Sequence, residues 1–442
     1  MPPPKTDEGL QRIMGPTGLA INVFNFTIGA GIFVLPAIIG TQLGVAGLLG
    51  YLLCGIMFAA IMLCYVEVAT RIKTSGGSYA YVEAAFGPVA GFVVNWLFFF
   101  GWGVLSSAAL MNIVADSLSV LFPVFTTWLA RVALMTLLTG LVIFINVRGA
   151  RSSVRFVGTM TLVKLLPLFA IVIFGFSHIQ AEHLQWEGWP PVKAFGDTAL
   201  VLFFAFAGFE TVLSMSGEIR NPEKSVPRGI LLGGFLIFLL YILLQLVVQG
   251  VLGDQMAEFK AAPLAEVARV IIGPVGATIL VAAAALSSFS SVSGDILTSP
   301  RVLFAGANDG LFPSFLGKVH PRFATPYWAV IAYGTMIFVF SISGGFKQLA
   351  ILASGALLLI YASVVLAMIK LRRIPLSTEE KIFKVPGGWT IPVIALVTIT
   401  WVFTHLSGPE MSSVGLFVVA LLLLYFGMKK WKANRLATDI KS

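Results

Sequence analysis

Apolar residues along this chain gather in long runs instead of recurring at the spacing of an amphipathic helix or strand. Twelve runs, at residues 19–39, 45–64, 90–110, 134–145, 162–176, 198–215, 230–251, 275–287, 328–342, 349–369, 391–403 and 414–426, each anchor a span or most of one. About 20 helical residues cross the hydrocarbon of a bilayer, where every backbone polar group has to be satisfied within the structure. The pattern predicts an all-α integral membrane protein of twelve transmembrane helices with short connections.

Composition excludes the alternative of a soluble helical bundle. Of 442 residues, 58% are hydrophobic and 11% charged, with a mean hydropathy of +0.94; a soluble domain carries about 25% charged residues. Charge then sets the orientation. With the N-terminus in the cytoplasm, 23 of the 29 Lys and Arg fall on that side, five on the other, and Lys164 alone lies within a span. That bias predicts a multi-pass protein of the plasma (inner) membrane with both termini cytoplasmic. It also accounts for the net charge of +9 without a nucleic-acid partner. The cationic cluster at 428–432 reads as a stop-transfer flank beside anionic lipid. The first 16 residues are polar and proline-rich and no cleavage-site pattern follows them, so the first span is expected to be its own insertion signal.

Chemistry of the enzymatic kind is not indicated. The two cysteines, Cys54 and Cys64, share the second span, and the four histidines are scattered over loops and span ends. No H-E-x-x-H, G-x-S-x-G or Walker A signature occurs, and Gly29-Ala30-Gly31 lacks the third glycine of a dinucleotide fingerprint, since Val34 stands there. The expectation is a protein without cofactor, metal site or catalytic residues.

The stretch NFTIGAGIFVLP (residues 25–36) places Gly29, Gly31 and Pro36 inside the first span. Glycine costs roughly 1 kcal/mol in a helix interior and proline about 3. Taken alone, the two glycines serve equally well a close helix–helix contact. The sixth span alters that weighting, because LFFAFAGFE (202–210) sets Gly208 beside an ionisable Glu210 deep in an apolar run. Interrupted helices in the first and sixth spans, five apart, occupy matching positions of two inverted halves, and such pairs point to a binding site near the midplane. The organisation that follows is a cytoplasmic tail (1–16), a five-helix repeat (17–176), a second, inverted five-helix repeat (197–370), two accessory helices (390–428) and a second tail (429–442).

Such breaks supply specific chemistry. A half-helix restarting at Gly29–Gly31 presents free N–H groups of partial positive charge, suited to a carboxylate. Carbonyls released around Phe204–Ala207 suit an ammonium group. Together, Ile28, Gly29, Ala30, Gly31 and Ile32 with Phe204, Ala205, Phe206, Ala207 and Gly208 would hold the zwitterionic end of an amino acid by backbone alone.

At these residues the chain resembles the amino acid–polyamine–organocation superfamily of transporters. IGAGIF (28–33) is similar to the family's first-helix motif, YVEVATRIKTSGGSY (65–79) running on to EAAFGP (83–88) to its second-to-third-span connection, FAGFE (206–210) with EIRNPEKSVPR (218–228) to its sixth-span break and following loop, and SPRVLFAGANDGLFP (299–313) with VHPRFATP (319–326) to the loop after its eighth span. The resemblance implies a five-plus-five inverted repeat with two appended helices and alternating-access transport of amino acids or close relatives. In a subset of the family a fifth-span lysine takes the place of a sodium ion between the first and eighth helices. That implies sodium independence here, with Lys164 as the lysine, Ser287, Ser288 or Ser291 as its eighth-span partner, and first-helix carbonyls near Ile28–Gly31 completing its shell. An intramembrane lysine is a functional candidate in its own right, although from a span beginning near Val154 it would lie only about two turns deep and within reach of snorkelling to the cytoplasmic edge. Two roles stay open for it: a group that takes and releases a proton, or a fixed cation bracing the first helix.

Phe204 or Phe206 is expected to gate the substrate, and Glu210 to pair with a helix end or help gate. Glu67 and Asp295 read as structural, capping or pairing with cytoplasmic basic groups. With Glu210 as the single acid expected at the site, a neutral, apolar amino acid is favoured over a cationic amino acid or polyamine, which would need a further acid. Partners are thus an amino acid, protons and the lipid bilayer, moved by proton coupling or by exchange. A non-transporting sensor is expected to add a signalling domain, where here only 13 residues follow Lys429.

Overall fold

The computed structural model describes residues 12, 14–73, 76–148, 164–186, 188–214, 216–259, 262–308, 312–374 and 382–439. The first apolar run forms α1 (Pro16–Thr27) and α2 (Leu35–Leu43), separated by extended residues and a 3-10 turn at Ala30–Phe33. There follow α3 (Gly47–Arg71), the short α4 (Ser78–Phe86), α5 (Pro88–Leu121), α6 (Trp128–Val147) and α7 (Lys164–His178). The second half comprises α8 (Val192–Phe206), α9 (Phe209–Leu213), α10 (Pro222–Leu252), α11 (Pro263–Ile272), α12 (Pro274–Thr298), α13 (Pro300–Asn308), α14 (Tyr327–Ser343) and α15 (Phe346–Leu371). Two further helices, α16 (Thr390–Phe403) and α17 (Gly408–Asp439), complete it. No strand occurs among the described residues.

Eight helical stretches among the described residues are long and apolar enough to cross a membrane, and α7, α14 and α16 are shorter apolar helices. The outer surface is that of a protein in lipid: Leu129 is 74% exposed and Leu416 71%, where water would favour polar side chains. Helix α1 lies along α10, which also packs on α3; α12 lies along α5, and α14 along α6. The two broken segments therefore sit on one group of helices and face a second group across a cavity. Helix α5 is wound as a π-helix over Leu97–Val104 where it borders that cavity, a distortion frequent at functional sites.

Glu67 behaves as the sequence suggests for a structural acid. Only 1% exposed, it accepts from Arg372 Nε (2.7 Å) and Nη2 (2.6 Å) and from the backbone N–H of Val385 (2.8 Å). The C-terminal ends of α3 and α15 and the chain entering α16 are thereby tied at one point. Removing one partner of a buried pair leaves an uncompensated charge and costs about 3–5 kcal/mol. Arg372→Met is expected to lower the melting temperature of the detergent-solubilised protein clearly, and an unchanged melting curve would show that the pair does not hold these ends together.

Candidate functional site

The site begins with the two breaks touching. At the end of α8, Ala207 turns extended and Gly208 takes φ +122°, a conformation that side chains rarely adopt. A Cβ on Gly208 would stand 2.6 Å from Phe26 O and 3.0 Å from Thr27 Cα, so only glycine lets the second break seat against the first. Gly29 is different: it is extended at φ −87°, and a Cβ there would meet nothing within 4 Å. The first break is set by the groups around it.

Those groups satisfy the backbone that the breaks release. Lys164 is buried, and its Nζ donates to Asn25 O (2.8 Å) and Ile28 O (2.7 Å). It does not snorkel; the expected start of its span near Val154 lies outside the described residues. Tyr241 of α10 donates to Ala205 O (3.0 Å) and Thr27 O (3.3 Å), linking the two breaks through one hydroxyl. The N–H of Gly208, which a continuing helix would hand to Phe204 O, instead donates to both carboxylate oxygens of Glu210 (3.1 and 3.0 Å), and Tyr361 donates to Glu210 Oε2 (3.0 Å). Glu210 is thus a buried cap on the break, and it does not line the cavity.

The cavity beside the breaks measures about 150 Å³. Asn25, Thr27 and Gly29 border it from the first break, Phe204, Ala207 and Gly208 from the second, and Lys164 from α7. The opposite wall carries Trp102, Ser106 and Ser107 of α5 and Ser290, Ser291 and Asp295 of α12. Phe204 packs between Trp102 (ring centroids 5.5 Å apart) and Phe346 (5.6 Å). The hydroxyl of Thr27 is buried without a partner among the described residues.

Several expected residues stand elsewhere. Phe206 turns away from the cavity and packs on Phe58 (5.4 Å) and Tyr241 (5.3 Å). Two residues apart on a helix means about 200° of rotation, so Phe204 and Phe206 could not both have faced the site. Ala205 offers its carbonyl to Tyr241, and Ile28 its carbonyl to Lys164. Ile28, Gly31, Ile32 and Ala205 do not border the cavity, and nothing is described of the side chain of Ala30. The eighth-span serines do not bond Lys164: Ser288 donates to Ala284 O (3.0 Å), Ser287 Oγ is buried without a partner among the described residues, and Ser291 reaches only the cavity wall. Two of the three ammonium donors go to carbonyls of the first break, and Lys164 also borders the cavity.

Asp295 is the main correction. It pairs with no basic residue among the described ones; it borders the cavity and accepts from Ser107 (2.7 Å), Tyr333 (2.7 Å) and Ser299 (2.6 Å). Its position after five serines in SSFSSVSGD (287–295) was the available signal, since Ser291 and Asp295 are one turn apart on a single helix face. Tyr241, a hydroxyl within the apolar run FLLYILL (238–244), carried a weaker one.

Comparison with known proteins identifies a family. The amino acid permease family model matches residues 15–428. Similar proteins of Bacillus subtilis (strain 168) include the serine/threonine exchanger SteT, 26% identical over 97% of this chain and 99% of its own length, the branched-chain amino acid permease BcaP, 26% identical over 95% and 93%, and a methylthioribose transporter, 25% identical over 95% and 94%.

The two glycines separate under substitution. Gly208→Ala forces a strained backbone, worth about 1–3 kcal/mol, against the Phe26 carbonyl, and is expected to lower the melting temperature and abolish ligand binding. Gly29→Ala is expected to melt close to wild type. Equal melting temperatures for the two variants would remove the distinction drawn here.

Proposed function

Because the chain belongs to the amino acid permease family, we propose that this multi-pass membrane protein is a sodium-independent secondary transporter that exchanges small neutral amino acids by alternating access. In this reading twelve spans form the five-plus-five inverted repeat with two accessory helices, in the plasma membrane and with both termini cytoplasmic. The substrate lies in the cavity between the breaks. Its carboxylate meets the first break beside Gly29, where the turn at Ala30–Phe33 opens, its ammonium group meets the carbonyls of the second break that Tyr241 leaves free, and Phe204 gates it.

The observation that carries the proposal is Lys164. Its ammonium group bonds Asn25 O at the end of α1 and Ile28 O just beyond it, at the break itself, and Lys164 borders the cavity. A cation is already in place there, so a sodium ion has no role to fill. Two charge-assisted bonds to backbone also suit a fixed brace, which favours exchange over proton-driven uptake. The cavity's size supports a small substrate, since drug-sized ligands occupy about 300–1,000 Å³.

Radiolabelled amino acids offered to proteoliposomes, with and without internal unlabelled amino acid, sodium or an inward proton gradient, test the proposal. Uptake is expected to require the internal amino acid and to ignore both ion gradients. Lys164→Ala, which removes two hydrogen bonds of about 1.5–3 kcal/mol each, is expected to lower it at least about tenfold. Uptake driven by the proton gradient alone, and lost in Lys164→Ala, would instead make Lys164 the coupling group; sodium-driven uptake would overturn the assignment.

A further inference from the structure

The cavity contains one carboxylate that the capture of an amino acid's common end does not use. Asp295 stands on the wall formed by α5, α12 and α14, opposite the breaks. Ser107 and Tyr333 both donate to its Oδ2, and Ser299 donates to Oδ1. An ionised carboxylate accepts about four hydrogen bonds, so one acceptor position remains, on Oδ1. Gly103 makes room for the Tyr333 hydroxyl beside it: a Cβ there would stand 2.5 Å from Tyr333 Oη and 3.7 Å from Asp295 Oδ1. The carboxylate is held in place by three hydroxyls, one from α5, one from α14 and one from the residue that caps α12, and a fourth donor can come from the cavity.

We propose that Asp295 is the specificity-determining residue of this cavity, accepting a hydrogen bond from the side-chain hydroxyl of a small, uncharged amino acid. The inference rests on the transport reading above and narrows its substrate class. An uncharged donor fits better than a cation for two reasons. Lys164 already supplies one positive charge to the same cavity, so an ionised Asp295 leaves the pair neutral and a zwitterion keeps it so; a cationic side chain would add an uncompensated charge where water is excluded. The negative charge of Asp295 is also shared over three charge-assisted hydrogen bonds, which leaves a single directional acceptor and no open face for an ammonium or guanidinium group. Short polar side chains around it, Ser106, Ser290 and Ser291, complete a wall suited to a hydroxyl. An apolar side chain of the same shape would bury that acceptor without a donor, the kind of mismatch by which a hydrogen-bonding site rejects an isostere.

Isosteric pairs make the test. Proteoliposomes would be assayed for uptake of threonine against valine, and serine against 2-aminobutyrate, with lysine and putrescine as competitors. The hydroxylated member of each pair is expected to be preferred at least about tenfold, or 1.4 kcal/mol. Asp295→Asn keeps the volume and an oxygen for Ser107 and Tyr333 but turns the open acceptor into a donor, and is expected to bring each ratio within about threefold. Wild-type protein that carries valine as well as threonine overturns the proposal whatever the variant does, as does stronger competition by lysine or putrescine than by threonine. Undiminished selectivity in Asp295→Asn would also overturn it, while amino acid transport itself would stand. If wild type carried no amino acid at all, the failure would belong to the transport reading.

Discussion

Everything in this structure depends on one constraint: a helix interrupted inside a membrane has to find partners for the backbone groups it releases. Lipid offers none, and each unsatisfied group costs several kcal/mol. The chain meets the demand with three side chains from three different helices. Lys164 takes the carbonyls of Asn25 and Ile28, Tyr241 those of Thr27 and Ala205, and Glu210 the amide of Gly208. These bonds do more than stabilise. Two of the three link a break to another helix, so the geometry of the breaks is tied to how α7 and α10 are packed, and any rearrangement of those helices has to remake the bonds.

The same constraint divides the surroundings of the second break into two kinds of wall. On one side Phe206, Phe58, Phe209, Tyr65 and Tyr361 form an aromatic cluster with edge-on contacts, and Glu210 is sealed within it against Tyr361. On the other side lies the cavity with its serines, Lys164 and Asp295. The first is lined by aromatic rings and the second by polar side chains. Glu210 and Asp295, both acids inside spans, differ for that reason alone: one closes a backbone gap within an aromatic cluster, the other stands at the edge of a polar space.

Much of this was legible in the sequence. Glycines at Gly29, Gly31 and Gly208 marked the interruptions, because helix propensity is a local property that any window of residues reveals. Lys164 was legible for a related reason, as the single basic residue placed within a span. Partnership is where local reading fails. Tyr241 lies 36 residues from Ala205 and 214 from Thr27, and nothing in its own span says that it must serve a carbonyl. Asp295 reads locally as a structural acid, capping or pairing with basic groups, whereas its partners Ser107 and Tyr333 come from segments 188 and 38 residues away. The distinction between Phe204 and Phe206 was available from helix rotation alone, but which of the two faced inward depended on where α8 packs.

The division of labour between backbone and side chains has a further consequence for how such a site distinguishes its cargo. Groups released at a break are the same atoms whatever the sequence, so they recognise what all amino acids share and cannot tell one from another. Discrimination has to come from side chains that face the cavity without being committed to the breaks. Lys164, Tyr241 and Glu210 are committed, and changing any of them disturbs the frame. The α5 and α12 wall is not. Ser106, Ser290 and Ser291 can be exchanged without reopening a backbone gap, and Asp295, anchored by its own three hydroxyls, holds its orientation independently of the breaks. A chain built this way can keep its frame while the opposite wall alone sets what is carried.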